Sequence, residues 1–501
     1  MVRSQQLLLD DWTPRSFIER IIQAASTPSA TLSDGRLFLK SSDLARPIGL
    51  IEEYLISQGC DLEAPLALEC SNSVPGVLTL LALLARGTSC GLFPRTEGRE
   101  GEPTIPRFFH HTVTVRSQIL DDGDAQLLHP ASFLTIRTTP HHIPLPGDSS
   151  LRRNRLLLRT SGSLGKPKLV VHLHTKLLAN AVNVVERLGL KSGDRCLIPV
   201  PLAHMYGLGV ALLPSLYVGA SIELIERANM IRYLAQEKTF QPTIGFLTPS
   251  LCRMLNRPRS LPCAYRGAIV GGDRLSSADY AQTEAVFRQV LSIYGSTEMG
   301  AISSADANVC GPERPMNEGP ALEGVQLRLD RHAGNAEHDP GCGELLCAHP
   351  YGFEGYVDDD GQPVPLSAEA PTGWFRTRDL VRLAEDGSVQ VLGRLDHAVK
   401  RDGRLVMLVE VERALGQIPT IDGIAVVVGR ETNRGRGIVA FYSSRDETPI
   451  DTAALWRACK ALLPSYAVPD SLHRIPALPL LPSGKVDRRI LQQVAMTSLP
   501  M

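Results

Sequence analysis

The chain lacks the cysteine patterns of metal-binding and redox proteins. Its 501 residues include ten irregularly spaced cysteines but no C-x-x-C pair. The closest two, Cys342 and Cys347, have no matching cysteine or histidine pair nearby. Structural zinc sites and thiol redox motifs are built from such pairs. We therefore expect the cysteines to be reduced and buried.

A surplus of charge is also missing. The sequence has 52 Lys and Arg residues against 53 Asp and Glu, a formal net charge of −1. No global field would then attract nucleic acid or an anionic membrane, so we expect neither as a partner. Hydrophobic residues make up 43% and charged residues 21%, as in soluble globular proteins. A chain of this length is expected to form at least two domains.

Long apolar segments are scarce. The first residues contain only a three-leucine run before two aspartates, which is shorter than the core of a secretory signal. The uncharged run at 205–222 approaches the length of a membrane span, but it contains three glycines and Pro214. We expect a buried helix there, no membrane span, and a cytoplasmic protein.

A Walker A loop is absent as well. The stretch "TSGSLGKPK", residues 160–168, has the small residues, hydroxyls and lysines of a phosphate-binding loop. A Walker A loop begins with glycine and ends in Gly-Lys followed by Ser or Thr. Here Thr160 stands at the first position and Pro167 follows Lys166. The stretch therefore indicates phosphate binding of another kind.

Between residues 156 and 300, a short apolar run leads into a polar, glycine-containing segment three times. The pairs are "RLLLR" with "TSGSLGKPK", "GAIV" with "GGDRLS", and "VLSI" with "YGSTEMG". Short runs that are apolar on both faces are typical of buried parallel strands. Ligands of open α/β sheets bind beyond the carboxyl ends of such strands. The three loops are thus predicted to converge on one site.

The composition changes towards the C-terminal part of the chain. Residues 341–413 favour β-structure, and Asp386-Gly387 between two alternating segments predicts a hairpin. Beyond Gly393 the pattern indicates a small α+β unit, including a helix in "DTAALWRACKALLP" that starts at Asp451 and stops at Pro464. We predict an N-terminal domain at 1–393, a C-terminal domain at 397–501, and a hinge at 394–396.

Charged residues on separate loops complete a candidate site. Glu298 could hold Mg²⁺ beside phosphates, Asp379 could accept hydrogen bonds from two ribose hydroxyls, and Arg394 could reach ribose or phosphate. Lys485 stands in "LPSGKVDRR", next to a glycine. A single charged loop residue is usually just solvated, so the prediction depends on the ordered set.

That ordered set resembles the adenylate-forming superfamily, which contains acyl- and aryl-CoA ligases, stand-alone adenylation enzymes and luciferase-like enzymes. The resemblance spans about residues 60–491. It is carried, in chain order, by "TSGSLGKPKLVVH", "PLAHMYG", "GGD", "YGSTE", "GEL", "WFRTRD", "GRLDHAVKRDG", "EVE" and "PSGKVDRR". It implies an α/β fold: a large N-terminal domain of layered α/β sheets with a β-barrel-like subdomain, and a small mobile α+β C-terminal domain.

The resemblance also implies roles for individual residues. Thr297 would contact the α-phosphate, Glu298 would bind Mg²⁺, and Lys485 would bridge the substrate carboxylate and the α-phosphate. Asp379 would bind ribose with help from Arg394. The other nucleotide-binding positions would be Thr160, Ser161, Gly162, Ser163, Gly165 and Lys168 at the phosphates, and Gly271, Gly272, Asp273, Tyr294, Gly295 and Ser296 around adenine and the magnesium loop.

By the same resemblance, ATP would convert a carboxylic acid to an acyl-adenylate, which a thiol would then attack to give a thioester. The enzyme would be an AMP-forming acid–thiol ligase that uses ATP, Mg²⁺ and CoA. The small domain would rotate about Asp396 between the two half-reactions. Lys400 and Gly403 would then line the thiol tunnel, where a glycine permits close passage of pantetheine.

The acid itself is only partly defined by the sequence. Amino-acid-activating relatives usually carry an aspartate in the motif that corresponds to "PLAHMYG", which has no carboxylate here. A buried substrate ammonium would then lack its partner, so we predict an aryl or short-to-medium acyl acid without an α-amine. His204 is either a gate for the carboxylate or a core histidine. The predicted pocket residues are Tyr206, Phe246, Val270, Met299, Gly300 and Ala301.

The sequence leaves alternatives open for the acceptor thiol and for whether the chain is an enzyme. The acid could be loaded onto the phosphopantetheine of a carrier protein, which we expect to be a separate chain, instead of onto CoA. A non-catalytic nucleotide-binding protein is the alternative of another class. Leu164, Leu169 and Arg378 stand where the superfamily usually has Thr, Gly and Gly, and we expect the first two to weaken ATP binding.

Overall fold

The chain divides into two compact units. The computed structural model describes residues 13–24, 30–95, 105–116, 129–160, 168–255, 265–307, 317–331, 341–366, 371–402, 404–444, 451–480 and 486–497. The first unit comprises residues 1–326 and 348–373, and the second comprises residues 327–347 and 374–501. Within the described ranges, no helix is long and apolar enough to cross a bilayer.

The elements are numbered in chain order. The strands up to residue 304 are β1 Thr31–Ser33, β2 Phe38–Lys40, β3 Leu66–Cys70, β4 Cys90–Pro94, β5 His111–Val115, β6 Leu134–Thr138, β7 Arg155–Arg159, β8 Leu169–Leu173, β9 Arg195–Ile198, β10 Ser221–Leu224, β11 Ile244–Leu247, β12 Gly267–Gly271, β13 Val290–Ser296 and β14 Gly300–Ser304. The later strands are β15 Gln326–Asp330, β16 Cys342–Ala348, β17 Gly355–Val357, β18 Pro363–Val364, β19 Phe375–Leu383, β20 Val389–Arg394, β21 Ala398–Arg401, β22 Arg404–Met407, β23 Gly423–Thr432, β24 Gly435–Ser443 and β25 Ser471–Arg474. The α-helices are α1 Pro14–Ala24, α2 Ala45–Ser57, α3 Val74–Arg86, α4 His174–Leu188, α5 Leu213–Tyr217, α6 Met230–Phe240, α7 Pro249–Leu255, α8 Ser277–Phe287, α9 Leu408–Leu415, α10 Thr452–Leu462 and α11 Arg488–Thr497.

Two sheets, each of eight described strands, dominate the first unit. One has the order β14-β13-β12-β11-β9-β10-β1-β2 and the other the order β18-β17-β8-β7-β4-β3-β5-β6. In the first sheet, β9 to β13 are parallel neighbours and are almost entirely buried. Apolar runs without alternation form such strands because helices cover both faces. The predicted α/β class is confirmed.

Most of the uncharged run at 205–222 is a buried helical segment, as predicted, while its last two residues begin strand β10. Tyr206–Leu212 forms a π-helical stretch that continues into α5, and all but the first and last residues of the combined segment are buried. Pro214, which has no N–H to donate to the preceding turn, lies where the π-helical stretch passes into α5. Wide π-turns are frequently found at functional sites.

The loop prediction needs two corrections. The strand after "VLSI" continues through Tyr294-Gly295-Ser296, because β14 pairs with this segment in antiparallel register. Only residues 297–299 therefore form the connection. The phosphate loop follows β7, which belongs to the other eight-stranded sheet and pairs with β8. The three loops thus come from two sheets.

The second unit contains two smaller sheets among its described residues. One has the order β15-β16-β19-β20, and the other has the order β22-β21-β24-β23 with β25 beside β24. The hairpin predicted at Asp386-Gly387 joins β19 and β20, with Gly387 at φ +79°. The predicted helix at 452–462 is capped by Asp451, whose Oδ1 accepts from the Ala453 N–H at 2.9 Å.

The smaller C-terminal unit is confirmed, while its exact limits stay a prediction. The sheet of β15, β16, β19 and β20 groups with this unit, although the predicted boundary lies beyond it. Strand β20 ends at Arg394, and a single 3₁₀ turn, Leu395–His397, leads to β21. The hinge, its mobility and the barrel-like subdomain remain predictions.

Candidate active site

The predicted phosphate loop joins the antiparallel strands β7 and β8. The Thr160 N–H donates to the Lys168 carbonyl at 3.0 Å, and the Thr160 hydroxyl donates to the same oxygen at 3.3 Å. These bonds hold the two ends of the loop side by side. The intervening residues 161–167 lie outside the described residues, so the roles of Ser161, Gly162, Ser163 and Gly165 stay predictions.

Two of the predicted charged residues meet at one tyrosine. The Nζ of Lys168 lies 5.3 Å from the centre of the Tyr356 ring, in a cation–π contact. The Tyr356 hydroxyl donates to Oε1 of Glu298 at 2.8 Å. The phosphate-loop lysine and the predicted metal-binding glutamate are therefore neighbours in the first unit, although they are far apart in sequence.

Two histidines support the connection that carries Thr297 and Glu298. Nε2 of His172 lies 2.7 Å from the Thr297 carbonyl, and Nε2 of His349 lies 2.9 Å from the Ala301 carbonyl. Nδ1 of His349 accepts from the Tyr351 N–H at 3.0 Å, which assigns the proton to its Nε2. Burial lowers the pKa of His172 and of His349 to about 4, so both rings are neutral donors at neutral pH.

Sequence reasoning named none of these supporting residues. Tyr356, His172 and His349 lie in or beside apolar strand segments, where a polar residue is usually a satisfied core residue. The sequence contains one indication for His172, because this histidine stands in "LVVHL", the segment directly after the phosphate loop. The position of Tyr356 depends on the pairing of β17 with β8, which places it opposite Val170.

The motifs "PLAHMYG" and "GGD" come together at the carboxyl ends of β11 and β12. The Tyr206 hydroxyl lies 3.0 Å from the Leu247 carbonyl and 2.7 Å from the Ile269 carbonyl, where it donates. A side chain at Gly271 would place its Cβ 2.9 Å from the Tyr206 ring, so this position has to be glycine. Burial raises the pKa of Tyr206 well above its usual value, which keeps the hydroxyl protonated.

The remaining predicted adenine residues lie along the same edge. Gly272 has φ +87°, a backbone conformation that favours glycine. Asp273 is exposed and its carboxylate accepts from the neighbouring Arg274 N–H at 2.8 Å. Tyr294 is buried in β13, and the Ser296 hydroxyl accepts from the Met299 N–H at 3.0 Å. At Gly295 the register of β13 and β14 shifts, which marks a bulge beside the magnesium loop.

Most of the predicted pocket residues are buried in the first unit. Phe246, Val270 and Ala301 are 0%, 2% and 1% exposed, and Met299 is 5% exposed. Gly300 has φ +67°, and a Cβ there would lie 2.8 Å from the Asn180 carboxamide oxygen. These residues are contiguous with core in the first unit, and their contact with an acid remains a prediction.

His204 precedes the π-helical stretch and is exposed. Its N–H donates to the Pro201 carbonyl at 3.2 Å, and its own carbonyl accepts from the Leu208 N–H at 2.9 Å. Its backbone is therefore built into the start of the helical segment while its ring is accessible to solvent. This placement agrees with a gate better than with a core histidine, though the gating role stays a prediction.

In the second unit, the predicted ribose-binding pair is assembled on β19 and β20. Asp379 lies opposite Arg394 in the strand register, and Nη1 of Arg394 is 3.6 Å from Oδ1 of Asp379. Asp379 is 6% exposed, and its N–H donates to the Thr377 hydroxyl at 3.1 Å. The preceding residue, Arg378, has φ +62°, the region that glycine adopts without strain.

The motifs "GEL" and "WFRTRD" are joined by a buried ion pair. Nη2 of Arg376 lies 2.6 Å from Oε2 of Glu344 and 2.6 Å from Oδ2 of Asp330. Hydrogen bonding to Glu344 raises the pKa of Arg376 above its usual value. Glu344 is 1% exposed and also accepts from the Arg378 N–H at 3.3 Å. The pair thus orients the strand that presents Asp379, a role that sequence reasoning did not assign.

The predicted residues of the C-terminal segments are only partly described. Lys400 is exposed on the hairpin of β21 and β22. Gly403, Lys485 and the side chain of Asp396 lie outside the described residues, so their roles stay predictions. The backbone on either side of Lys485 is defined by a bridge between Leu480 and Val486.

The donor set fits a magnesium ion that is bound mainly through a nucleotide. Among the described residues, no group of three or more His, Cys, Asp or Glu residues has metal-binding geometry. Glu298 instead offers one carboxylate, of which Oε1 is engaged by Tyr356. Mg²⁺ is commonly held by one or two carboxylates together with substrate phosphates and water. Glu298 would supply the protein ligand in such an arrangement.

Family models identify both parts of the chain. The AMP-binding enzyme family matches residues 131–357, and the AMP-binding enzyme C-terminal domain matches residues 410–485. The chain belongs to the adenylate-forming superfamily of AMP-binding enzymes. The first match contains the phosphate loop, Glu298 and Tyr356, and the second ends at Lys485.

Curated relatives of this AMP-binding enzyme fall into two groups. It is 33% identical over 516 aligned residues to the dimodular nonribosomal peptide synthase of Bacillus subtilis, covering 97% of this chain and 21% of the synthase. It is 27% identical to the 2-succinylbenzoate–CoA ligase of Enterococcus faecalis, covering 85% of this chain and 87% of that ligase. The chain spans between 6% and 21% of the length of the four large synthetases that it matches.

Solved structures share the fold over nearly the whole chain. The o-succinylbenzoate CoA synthetase MenE from Bacillus subtilis, in complex with the acyl-adenylate intermediate OSB-AMP, has a TM-score of 0.75 and 20% identity, covering 94% of this chain and 97% of that one. At this identity, the likeness establishes the fold of the AMP-binding enzyme.

Proposed function

We propose that the protein activates a carboxylic acid with ATP, forms an acyl-adenylate and pyrophosphate, and transfers the acyl group to the thiol of CoA. The observation that carries this proposal is the meeting of Lys168 and Glu298 at Tyr356, beside the base of the phosphate loop. A cation and a metal-binding carboxylate in one place are what a triphosphate requires. Membership in the AMP-binding enzymes supports the same chemistry.

The residues of the chain have separable tasks in this reaction. ATP and a carboxylate are both anionic, so the site has to neutralise them and hold them in line. Lys168 and the loop from Thr160 would bind the phosphates, Lys485 would bind the substrate carboxylate and α-phosphate, and Asp379 would hold ribose. Mg²⁺ bound through Glu298 would supply charge neutralisation at the phosphates.

The proposed substrate is an aryl or short-to-medium acyl acid without an α-amine. The segment 200–207 contains no carboxylate that could pair with a substrate ammonium. The hydroxyl of Tyr206 is committed to backbone carbonyls, and Phe246, Val270 and Ala301 are apolar. Burial of an unpaired ammonium against such residues would cost several kcal/mol.

A second acceptor is favoured by part of the comparisons. Relatives at 30% to 33% identity are nonribosomal peptide synthetases, so the acid could be loaded onto the phosphopantetheine of a carrier protein. The chemistry of adenylation is the same for both acceptors. Mass spectrometry of the thioester product, with CoA and with candidate carrier proteins in parallel, distinguishes them.

ATP–pyrophosphate exchange over a panel of aryl and aliphatic acids tests the proposed activity directly. We expect exchange with a subset of acids that lack an α-amine and no exchange with amino acids. Silence with every acid would exclude both ligase proposals and favour a non-catalytic nucleotide-binding protein. Preferred exchange with an amino acid would contradict the substrate proposal alone.

Substitution of Lys485 separates the two half-reactions. We expect Lys485→Ala to reduce adenylate formation by about 10²- to 10³-fold, the usual loss when a donor that stabilises developing charge is removed. Thioester formation from a supplied acyl-adenylate should be retained, because Lys485 would act only in adenylation. Lys460→Ala, an exposed lysine on α10, is the matched control. Equal loss in both half-reactions would refute this division of roles.

A further inference from the structure

Tyr356 occupies a position that backbone pairing fixes on both sides. It lies in the centre of β17, opposite Val170 of β8 and Val364 of β18. Strand β8 starts directly after Lys168, so the lysine and the tyrosine are carried by adjacent strands. The Phe353 N–H also donates to the Glu298 carbonyl at 2.8 Å, which holds the glutamate against the same segment.

Lys168 and Glu298 have opposite charges and approach the same aromatic ring, yet they form no ion pair in the described part of the chain. The lysine ammonium lies against the ring, and the glutamate accepts from the hydroxyl at the edge of that ring. Both side chains are only half-buried, so ligands can reach them. Direct pairing would engage the two groups with each other and would have to be broken before phosphate and Mg²⁺ could bind.

The lysine contact of Tyr356 is readily exchanged for a ligand contact, because a cation–π contact at a partly exposed site is weak. The hydrogen bond from the hydroxyl to the Glu298 carboxylate is stronger because its acceptor is charged, so it can persist when the carboxylate binds a metal. Among the described residues, Tyr356 is the only hydrogen-bond donor to the Glu298 carboxylate. The hydroxyl engages Oε1, and no hydrogen bond from the described residues reaches Oε2.

We propose that Tyr356 is a positioning residue that keeps Lys168 and Glu298 apart and orients the Glu298 carboxylate for magnesium. This inference rests on the proposed function, since it assigns the two charged groups to ATP and Mg²⁺. The ring separates the Lys168 ammonium from the Glu298 carboxylate, and the hydroxyl fixes the orientation of that carboxylate. The two parts of the side chain therefore have two distinct, separable effects.

Calorimetric titration of ATP in the absence of any acid tests both parts, with and without Mg²⁺. Tyr356→Phe keeps the ring and removes the hydroxyl. We expect metal-free ATP affinity to stay within about twofold, while the gain in affinity from Mg²⁺ falls by about tenfold or more, as when other groups that orient a metal ligand are removed. Binding of Mn²⁺ with ATP, followed by electron paramagnetic resonance, should weaken in parallel.

Tyr356→Leu removes the ring as well. We expect metal-free ATP affinity to fall by about threefold to fivefold, the range of an exposed ion pair, because Lys168 then pairs with Glu298. The double variant Tyr356→Leu/Glu298→Gln should recover that metal-free affinity, since the competing carboxylate is gone. Glu298→Gln alone also removes a negative charge beside the phosphates, so the recovery has to exceed the gain that Glu298→Gln gives in the wild-type background. A structural role of Tyr356 alone would make the two gains equal.

Tyr217→Phe is the matched control in the first unit. Tyr217 also has a cation over its ring, with Cζ of Arg20 at 4.6 Å from the ring centre, and its hydroxyl can be removed in the same way. It should leave ATP binding unchanged with and without Mg²⁺. Thermal unfolding of each variant verifies that it is folded.

The outcomes separate this inference from the proposed function. If the wild-type protein binds no ATP with or without Mg²⁺, the proposed function fails and the inference fails with it. If the wild-type protein binds ATP in a magnesium-dependent manner and Tyr356→Phe retains that dependence, only the role of the hydroxyl is refuted. Failure of Glu298→Gln to restore metal-free binding in Tyr356→Leu refutes the separation of charges.

Discussion

Two sites, one in each unit, accommodate buried titratable side chains in opposite ways. In the first unit, His172 and His174 are 1% and 0% exposed, and burial lowers their pKa values to about 4 and about 3. They are therefore neutral at neutral pH. In the second unit, Arg401 is 1% exposed but charged, and its guanidinium forms two hydrogen bonds with the Asp470 carboxylate at 2.8 and 2.5 Å.

Other charged side chains of the second unit are also paired. Glu412 accepts two hydrogen bonds from Arg488, at 2.8 and 2.7 Å, and one from the Val426 N–H at 2.7 Å. Glu344 and Arg376 form the pair described above. A buried charge is tolerated only when paired, whereas a buried imidazole can discard its proton. The difference teaches that the two sites should fail under different perturbations: loss of the partner at Arg401, and acid at His172 and His174.

The largest expected effect comes from Asp470→Ala. It leaves the buried Arg401 charge without its partner and also removes an acceptor of the Ile438 N–H. We expect the second unit to lose about 3 kcal/mol of unfolding free energy, the lower end of the range for breaking a buried pair, because the Asp470 side chain is 32% exposed. Urea unfolding followed by tryptophan fluorescence measures this loss, because Trp374 and Trp456 both belong to the second unit.

A surface pair in the same unit provides the control. Arg436 and Glu431 are 58% and 72% exposed at their side chains, so Glu431→Ala should change stability by less than about 1 kcal/mol. Equal effects of Asp470→Ala and Glu431→Ala would show that the buried Arg401 charge does not depend on its partner more than a surface charge does.

The next largest effect is expected from acid, which should destabilise the first unit at His172 and His174. The folded pKa values of His172 and His174 lie below the usual 6.5. At these two sites the unfolded chain therefore binds more protons, and their contribution to stability is present above pH 6.5 and is lost as the pH falls below it. Each group contributes about 1.4 kcal/mol per pH unit in this range. Hydrogen exchange with mass spectrometry at pH 7.5 and 5, corrected for intrinsic rates, can assign the loss to the first unit.

His172→Gln isolates one histidine. The glutamine amide can still donate towards the Thr297 carbonyl but does not titrate. We expect the variant to lose about 2 kcal/mol less stability than the wild-type protein between pH 7.5 and 5. An unchanged pH dependence would show that the buried imidazole is not what makes the first unit acid-sensitive.

The smallest expected effect concerns backbone strain in the second unit. Arg378 adopts φ +62°, and its guanidinium Nε is 4.0 Å from Glu344, too far for a strong contact. Arg378→Gly should therefore raise the unfolding free energy by about 0.5–1 kcal/mol. Arg382→Gly, on the exposed face of the same strand, should lower it by a similar amount. A loss in both variants would show that Arg378 is held by its charge.

Local secondary structure could be predicted wherever a single short segment determines it. The Asp386-Gly387 hairpin and the Asp451 cap depend on residues a few positions apart, and both were predicted correctly. The end of β13 was not, because Tyr294 to Ser296 are held in the strand by pairing with β14 rather than by their own preference. Leu169 likewise stands where the superfamily usually has glycine, but in this chain it is a buried strand residue, 1% exposed.

The order of motifs in the sequence by itself determined the superfamily, the α/β class and the candidate residues from Thr160 to Lys485. Contacts between distant segments were decided only by the tertiary structure. Strand pairing brought Tyr356 between Lys168 and Glu298, and burial made His172 a neutral support for Thr297. The physical reason is that side-chain type is local, whereas distance and desolvation depend on which strands become neighbours.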